Sequence, residues 1–122
     1  MDNTKDFLDQ CNALTSGQPL KEILSRARDL LTNPARWTRR ATARDIHGNK
    51  THPGSQHAFR WCIEGAVAIC SNPGGIAPPA VLKFLDHIAA EAFGMESVNL
   101  FNDQHDHEDV LIFLDEAITR SP

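Results

Sequence analysis

The sequence AFRWCIEGAVAIC, at residues 58–70, is the most apolar run in this chain of 122 residues. Two loops that contain glycine and proline flank it, at residues 52–54 and 72–75. At helical spacing Trp61, Gly65 and Ile69 share one face, and few polar residues occupy the other faces. A helix with so few polar residues is buried on more than one side. The run therefore predicts a central helix around which the other helices pack.

Length and composition are typical of a soluble globular protein with a single domain, residues 1–122. The apolar share is 41% and the charged share 23%, and no apolar run approaches the roughly 20 residues that span a bilayer. The first six residues are acidic overall, whereas a secretory signal begins with basic residues. We therefore expect a cytoplasmic protein without membrane association. Three cysteines and no Cys-x-x-Cys pair predict free thiols.

Charge is divided unevenly along the chain, although the net charge is only −4. Residues 1–60 contain ten lysines and arginines against six carboxylates, and residues 61–122 contain two against ten. This division predicts a surface with a basic part and an acidic part. Such a surface favours a charged protein partner or self-association. Nucleic acid is a less suitable partner, because the sequence pI is only about 5.8 and nucleic-acid binding is typical of basic domains.

Apolar residues at helical spacing predict four further helices. The first covers residues 4–14 and belongs to a loosely attached N-terminal segment, residues 1–18. The second begins at Pro19, carries an apolar stripe from Leu20 to Leu31 and stops at Thr32-Asn33, because Pro34 disfavours helical geometry in the residue that precedes it. The third follows Pro78-Pro79 and ends at Gly94, a typical C-terminal cap. The last contains the apolar stripe between residues 110 and 118.

Two other segments favour extended geometry. Residues 37–45 contain Trp37, Thr38 and Thr42, which are common in strands, and a turn follows at residues 47–49. In residues 97–100, polar and apolar residues alternate, which predicts a second short strand that pairs with the first. The predicted fold class is therefore mostly α: a compact bundle of four or five helices with a short two-stranded β element.

Three groups of residues stand out by their order and spacing. They are Trp37 with Ala43-Arg44-Asp45 and Gly48, then Ala58 with Trp61-Cys62-x-x-Gly65-Ala66, then Phe101-Asn102-Asp103 with Leu114-Asp115-x-Ala117-Ile118. Together these groups resemble the DUF6197-type family of uncharacterised bacterial and bacteriophage proteins, over residues 20–119. The resemblance implies a bacterial or phage-associated protein, and it brings no established activity with it.

The predicted extended segment and the residue before it carry four arginines beside a tryptophan. Arginine side chains are mostly exposed in folded proteins, so the segment suits a solvated basic strand that the tryptophan anchors. The alternative is an edge that binds an anion or a protein partner. The residues in question are Arg36, Arg39, Arg40 and Arg44, with Trp37.

Cys62 is the first candidate for catalysis. A nucleophilic cysteine needs access and a lowered pKa. The predicted helix instead places Cys62 about two turns into an apolar run, where burial raises the pKa of a thiol. A structural thiol is therefore the preferred interpretation. Nearby, Gly65 costs about 1 kcal/mol relative to alanine inside a helix, so we expect the second or the fourth predicted helix in chain order to cross there at close range. The alternative is a ligand that reaches the helix at this position.

Asn102 and Asp103 are the most informative polar pair. Either side chain can cap the last helix, or close the turn before it, by accepting a hydrogen bond from a backbone N–H group. This structural role is the preferred interpretation. In the functional alternative, Asp103 lies in a shallow pocket and forms an acid/base pair with Glu64.

His105 and His107 are separated by one residue, a spacing at which an extended segment can bind zinc or nickel. Spacing fixes no third ligand, although His47, His52 and His57 share one loop region. A solvated start of the last helix is therefore preferred over a metal site. We predict no metal and no cofactor.

These observations favour a small non-enzymatic protein that acts through a protein partner or by self-association. Its expected binding residues are Trp37, Arg39, Arg44, Asn102 and Asp103. The alternative is a small hydrolase or ligand-binding enzyme whose cleft contains Cys62, Glu64, Asn102 and Asp103. An open pocket shared by these side chains would favour the enzyme, and a dry core around Cys62 would exclude it.

Overall fold

Helices make up most of the described chain, and a small sheet lies between the first two of them. The computed structural model describes residues 20–72 and 74–122, and the helix predicted for residues 4–14 lies outside these ranges. The elements are α1 (Leu20–Leu31), a 3-10 turn (Pro34–Arg36), β1 (Ala43–Arg44), β2 (Lys50–Thr51), β3 (Arg60–Trp61), α2 (Ile63–Ser71), α3 (Pro79–Phe93), α4 (Val98–Gln104) and α5 (His107–Arg120). The mostly α fold class is confirmed.

The helices α1, α3 and α5 form where their apolar stripes predict them. In each helix the buried residues recur at helical spacing, so one face packs into the core. The helix α3 ends at Gly94, whose φ of 68° lies in the left-handed region that glycine adopts readily. The helix α5 begins after Asp106, whose side chain accepts a hydrogen bond from the Asp109 backbone N–H. The prediction that Asn102 or Asp103 caps this helix is therefore wrong.

The central apolar run forms a shorter helix than predicted. The helix α2 begins at Ile63 with Cys62 as its N-cap, and the residues from Ala58 to Trp61 are not helical. These residues are extended because their backbone groups form hydrogen bonds with residues outside the run. The Phe59 N–H donates to the Arg44 carbonyl (2.8 Å), and the Trp61 carbonyl accepts from the Thr38 N–H (3.0 Å). Cys62 thus lies at the start of α2 and not two turns inside it.

The sheet also differs from the prediction, since it has three antiparallel strands in the order β2-β1-β3. Of the predicted segment 37–45, only residues 43–44 form a strand. The strand predicted for residues 97–100 is wrong. Residues 98–104 form α4 instead, because the Ser97 hydroxyl accepts a hydrogen bond from the Leu100 N–H and caps a helical turn.

One apolar core joins these elements. The helix α1 packs against α2 and α5, and α3 packs against α4 and α5. Phenylalanine rings occupy the centre, with centroids 5.0 Å apart for Phe93 and Phe101 and 4.7 Å apart for Phe101 and Phe113. From the sheet, Ala43 and Trp61 face the same core. Within the described ranges, no helix has the length and apolar character needed to cross a membrane.

Candidate functional site

The buried side chain of Asn102 forms hydrogen bonds that link several of the predicted binding residues. Asn102 lies on α4 and is fully buried. Its Oδ1 accepts hydrogen bonds from the Trp37 indole N–H (2.9 Å) and the Ile63 backbone N–H (3.1 Å), and its Nδ2 donates to the Thr38 carbonyl (3.1 Å). The two N–H groups can only donate, so the orientation of the amide is fixed. Asn102 thus ties residues 37–38 and the start of α2 to the last turn of α4.

Asp103 stabilises the loop that contains Arg40, a residue with a positive φ. Its Oδ1 accepts a hydrogen bond from the Arg40 backbone N–H at 2.9 Å. Arg40 has a φ of 59°, and it is the one residue other than glycine with a positive φ in the described ranges. A left-handed conformation costs a residue with a Cβ atom about 1–2 kcal/mol, so tertiary contacts must hold it. Asp103 therefore fixes a loop far away in the sequence, and not the turn before α5.

A cavity of about 340 Å³ lies between this loop, the N-cap of α2 and one side of α4. It brings Cys62 and Asp103 together, as the enzyme hypothesis expects, but Asn102 and Glu64 do not line it. Its lining residues are Arg40, Ala41, Thr42, Cys62, Asn99 and Asp103.

Glu64 lines a neighbouring hollow of similar size, about 340 Å³, on the other side of Thr42. Its Oε1 accepts a hydrogen bond from Asn99 Nδ2 at 3.0 Å. Because Asn99 lines the first cavity and Glu64 the second, this bond marks the boundary between them. The predicted cleft is thus divided, and Glu64 and Asp103 do not share a pocket.

The environment of Cys62 opposes the thiolate form that a nucleophilic cysteine needs. The side chain is 5% exposed, and its Sγ accepts a hydrogen bond from the Gly65 backbone N–H at 3.3 Å. Burial raises the pKa of Cys62 to about 11, an effect that outweighs the opposite contribution of this hydrogen bond. A thiol with this pKa is protonated at neutral pH, and only the thiolate attacks.

We expect native Cys62 to react with iodoacetamide at pH 7 about 100-fold more slowly than an ordinary thiol, because its pKa of about 11 lies two units above the usual 9.0. A variant with Cys11 and Cys70 replaced by serine isolates the reaction for mass spectrometry. Urea should restore the ordinary rate, since unfolding removes the burial. A native rate above that of free cysteine would contradict the buried, protonated thiol and favour the nucleophile.

The close approach expected at Gly65 is present, but the partner is a loop and not a helix. A Cβ atom built on Gly65 would lie 1.8 Å from the Thr42 carbonyl oxygen and 2.8 Å from its carbonyl carbon. The same oxygen accepts a hydrogen bond from the Cys62 N–H at 3.3 Å. The residue before β1 therefore rests directly on the first turn of α2. The prediction of a crossing helix is wrong.

The two histidines considered as candidate metal ligands each contact a backbone carbonyl. His105 bonds through Nδ1 to the Phe101 carbonyl at 2.9 Å, and its ring stacks on the Phe101 ring. His107 bonds through Nε2 to the Leu31 carbonyl at 2.5 Å. A carbonyl only accepts, so each of these nitrogens carries a proton. No group of three or more potential ligands occurs among the residues that the structure describes.

Trp37, Arg39 and Arg44 are fixed by neutral acceptors. The Arg39 guanidinium lies 4.9 Å from the centroid of the Trp37 ring and donates through Nε to the His105 carbonyl at 3.0 Å. Arg44 donates to the Thr38 hydroxyl, the Gly48 carbonyl and the Arg39 carbonyl, at 2.9–3.2 Å. These bonds immobilise the two arginine side chains without neutralising their positive charge.

Arg44 also stands at the centre of a row of three cations. In the register of the sheet it lies directly opposite Lys50 on β2 and Arg60 on β3. Directly opposed residues share one face of a sheet, and the partner row, which contains Ala43 and Trp61, is buried. We call Lys50, Arg44 and Arg60 the cationic row. None of the three lies within 4.0 Å of a carboxylate in the described part of the chain.

The carboxylate next to this row in sequence is engaged elsewhere. Asp45 Oδ1 accepts hydrogen bonds from the Asn49 and His47 backbone N–H groups, both at 2.9 Å. These bonds, the one from Asn49 above all, lower the pKa of Asp45 below its usual range. Asp45 therefore closes the turn between β1 and β2.

A sequence model of a known family matches residues 15–120. The chain belongs to DUF6197, a family of unknown function. The match spans every element from α1 to α5, and it confirms the resemblance found in the sequence. No curated protein and no solved structure matches the chain. Because membership of DUF6197 brings no activity with it, the function rests on the geometry of the site.

Only part of this site could be predicted from the sequence. The sequence analysis selected Arg44 but neither Lys50 nor Arg60, because each of the three strands is only two residues long. A strand of two residues has no alternation that a sequence pattern can reveal. Only the pairing of the strands brings the three charges together.

Proposed function

We propose that this member of DUF6197 is a non-enzymatic protein that binds an acidic protein partner through the cationic row. The observation that carries the proposal is the register Lys50–Arg44–Arg60, which places three like charges opposite one another without a carboxylate near them. Like charges in directly opposed positions destabilise a sheet. An anionic partner would remove this repulsion on binding.

The surroundings of Arg60 support a protein as the partner. The Arg36 and Arg60 guanidinium carbons lie 4.3 Å and 5.7 Å from the centroid of the half-buried Phe59 ring. Arg60 also donates to the Ala35 carbonyl at 3.1 Å, and Arg36 donates to the Phe59 carbonyl. Arginine and aromatic side chains are enriched among the residues that dominate protein–protein binding energy. Because these side chains are already fixed, little conformational entropy is lost on association.

Charge elsewhere on the chain favours a protein over a nucleic acid. Residues 61–122 carry ten carboxylates against two basic residues, so the chain as a whole repels a long polyanion. A short acidic segment can occupy the cationic row alone. Among the described residues, Cys62 and Cys70 are free thiols, which suit a reducing compartment such as the cytoplasm.

The hydrolase alternative has less support. Catalysis by Cys62 needs a thiolate, and burial opposes one. Asn102 is enclosed, and Glu64 lies in a different hollow from Asp103. An acid/base pair would have to act across the Asn99–Glu64 hydrogen bond.

We expect Lys50→Glu to weaken the binding of a fluorescein-labelled decaglutamate peptide about tenfold or more, because it reverses one charge of the row. The same change should raise the free energy of unfolding by about 0.2–1 kcal/mol, since it places a carboxylate opposite Arg44. Fluorescence anisotropy and urea denaturation give the two quantities. Weaker binding together with higher stability separates loss of recognition from loss of folding.

Lys83→Glu is the matched control, because Lys83 is an exposed lysine on α3, away from the sheet. It changes the net charge by the same amount and should alter peptide binding less than about twofold. Equal weakening by both variants would mean that only net charge matters, and it would overturn the proposal. If sedimentation shows self-association that Lys50→Glu abolishes, the acidic partner is a second copy of the chain.

A further inference from the structure

The cavity beside Asp103 contains two opposite charges that do not pair with each other. Arg40 and Asp103 both line it, yet the Arg40 side chain makes no hydrogen bond or ion pair with another described residue. Asp103 uses only Oδ1, which accepts from the Arg40 backbone N–H at 2.9 Å and from Asn102 Nδ2 at 3.4 Å. Within the described ranges, Asp103 Oδ2 has no donor. Two residues of the lining thus carry a guanidinium and a carboxylate oxygen that bind no other described residue.

The rest of the lining adds one more acceptor and an uncharged wall. Asn99 donates through Nδ2 to Glu64, and its Oδ1 has no donor among the described residues. Asn99 Oδ1 and Asp103 Oδ2 together are two acceptors, which suits an ammonium group with its three N–H donors. Arg40 can bind a carboxylate through two parallel hydrogen bonds. Ala41, Thr42 and Cys62 complete the wall with methyl groups, a hydroxyl and a buried thiol.

Size and backbone geometry both favour a small ligand. A cavity of about 340 Å³ lies at the lower end of the range for ligand pockets, which suits a small ligand. Arg40 has a left-handed φ of 59°, and its backbone N–H donates to Asp103 Oδ1. Strained residues of this kind are concentrated at ligand-binding and active sites, where the surrounding structure fixes them in position.

We propose that this cavity binds a small zwitterion of the size of a free amino acid, with its carboxylate on Arg40 and its ammonium group between Asp103 and Asn99. The site does not include the cationic row, so it is independent of the proposed binding of an acidic protein. A zwitterion satisfies both charges at once, whereas a simple anion or cation leaves one of them without a partner.

The experiment is an NMR titration of the ¹⁵N-labelled protein with the twenty standard amino acids, each up to about 10 mM. We expect at least one of them to shift the amide signals of residues 40–42, 62 and 99–103. The best ligand is then compared with two analogues, one without its amino group and one without its carboxylate. For L-leucine these are 4-methylpentanoate and 3-methylbutylamine. We expect both analogues to bind about tenfold more weakly or worse.

Two variants remove one charge each. Arg40→Gln and Asp103→Asn should each weaken the binding of the amino acid about tenfold. Asp103→Asn keeps an oxygen for the Arg40 N–H, and Arg40→Gln removes an exposed side chain without hydrogen bonds, so the fold is retained. The control is Arg39→Gln, which changes the neighbouring arginine, a residue outside the lining. Binding to this variant should change less than about twofold.

The proposal is overturned if no amino acid shifts these signals, or if an analogue with one charge binds as well as the zwitterion. It is also overturned if Arg40→Gln binds as the unmodified protein does. Should Asp103→Asn unfold, Arg40→Gln alone decides between the outcomes. Lys50→Glu should leave amino-acid binding unchanged, so that failure of this proposal and failure of the acidic-partner proposal can be distinguished.

Discussion

Asn102→Ala is expected to lower the free energy of unfolding by about 3–5 kcal/mol, because the substitution leaves three groups without their partner. These are the Trp37 indole N–H, the Ile63 N–H and the Thr38 carbonyl. An unsatisfied buried polar group costs about 1–3 kcal/mol. Urea denaturation followed by circular dichroism gives the measurement. The control is Asn99→Ala on the same helix, an exposed position where we expect a loss below about 0.5 kcal/mol.

Asn102→Asp adds a test with a pH dependence. Burial and the Thr38 carbonyl oppose a charged carboxylate, so we expect the pKa of the new acid to be raised in the folded state. When protonated, it can still donate to the Thr38 carbonyl. Its stability relative to the original protein should therefore be nearly normal below about pH 4, the unfolded pKa of aspartate, and should fall as the pH rises through the folded pKa. Equal stability of the two proteins at pH 8 would contradict the role given to Nδ2.

Gly65→Ala is expected to cost about 3 kcal/mol or more, although helix propensity alone favours alanine by about 1 kcal/mol. The added Cβ atom would lie 1.8 Å from the Thr42 carbonyl oxygen, a distance that no side-chain rotation can relieve. Either the loop before β1 or the first turn of α2 has to move. Because the total stability of a domain is only about 5–15 kcal/mol, the variant is expected to unfold at a much lower urea concentration.

Gly94→Ala is the control for this experiment. Gly94 has a φ of 68° and no atom within 4 Å of an added Cβ, so only the backbone conformation opposes alanine, at about 1–2 kcal/mol. The difference between the two variants therefore isolates the contact between Gly65 and Thr42. If Gly65→Ala were as stable as the original protein, the loop before β1 would not rest on α2, and the cavity that they enclose would have a different shape.

The sequence by itself determined the long helices. In α1, α3 and α5 the apolar residues recur at helical spacing over 12, 15 and 14 residues. Each of these helices satisfies its own backbone hydrogen bonds, so a local pattern of this length is sufficient to predict it. The left-handed cap at Gly94 is equally local. The mostly α fold class follows from these three helices.

The candidate site could be predicted only in part. Trp37, Asn102 and Asp103 were selected as binding residues, and the structure does bring them together. Their roles differ from the prediction, because Asn102 bonds to Trp37 across 65 positions and Asp103 bonds to Arg40 across 63. Polar residues at the end of a helix have many local uses, and the sequence gives no means of choosing a distant partner over a nearby one.

Tertiary structure alone decided the start of α2 and the sheet. Residues 58–61 have the apolar character of the helix that follows, yet they are extended, because Phe59 and Trp61 exchange backbone hydrogen bonds with the neighbourhood of β1. Strands of two residues have no period, and although the sequence predicts a turn at residues 47–49, nothing in it marks residues 60–61 as the second partner of β1. The row of Lys50, Arg44 and Arg60 exists only in this pairing. A backbone donor or acceptor without a local partner takes whichever partner the packed helices bring near it.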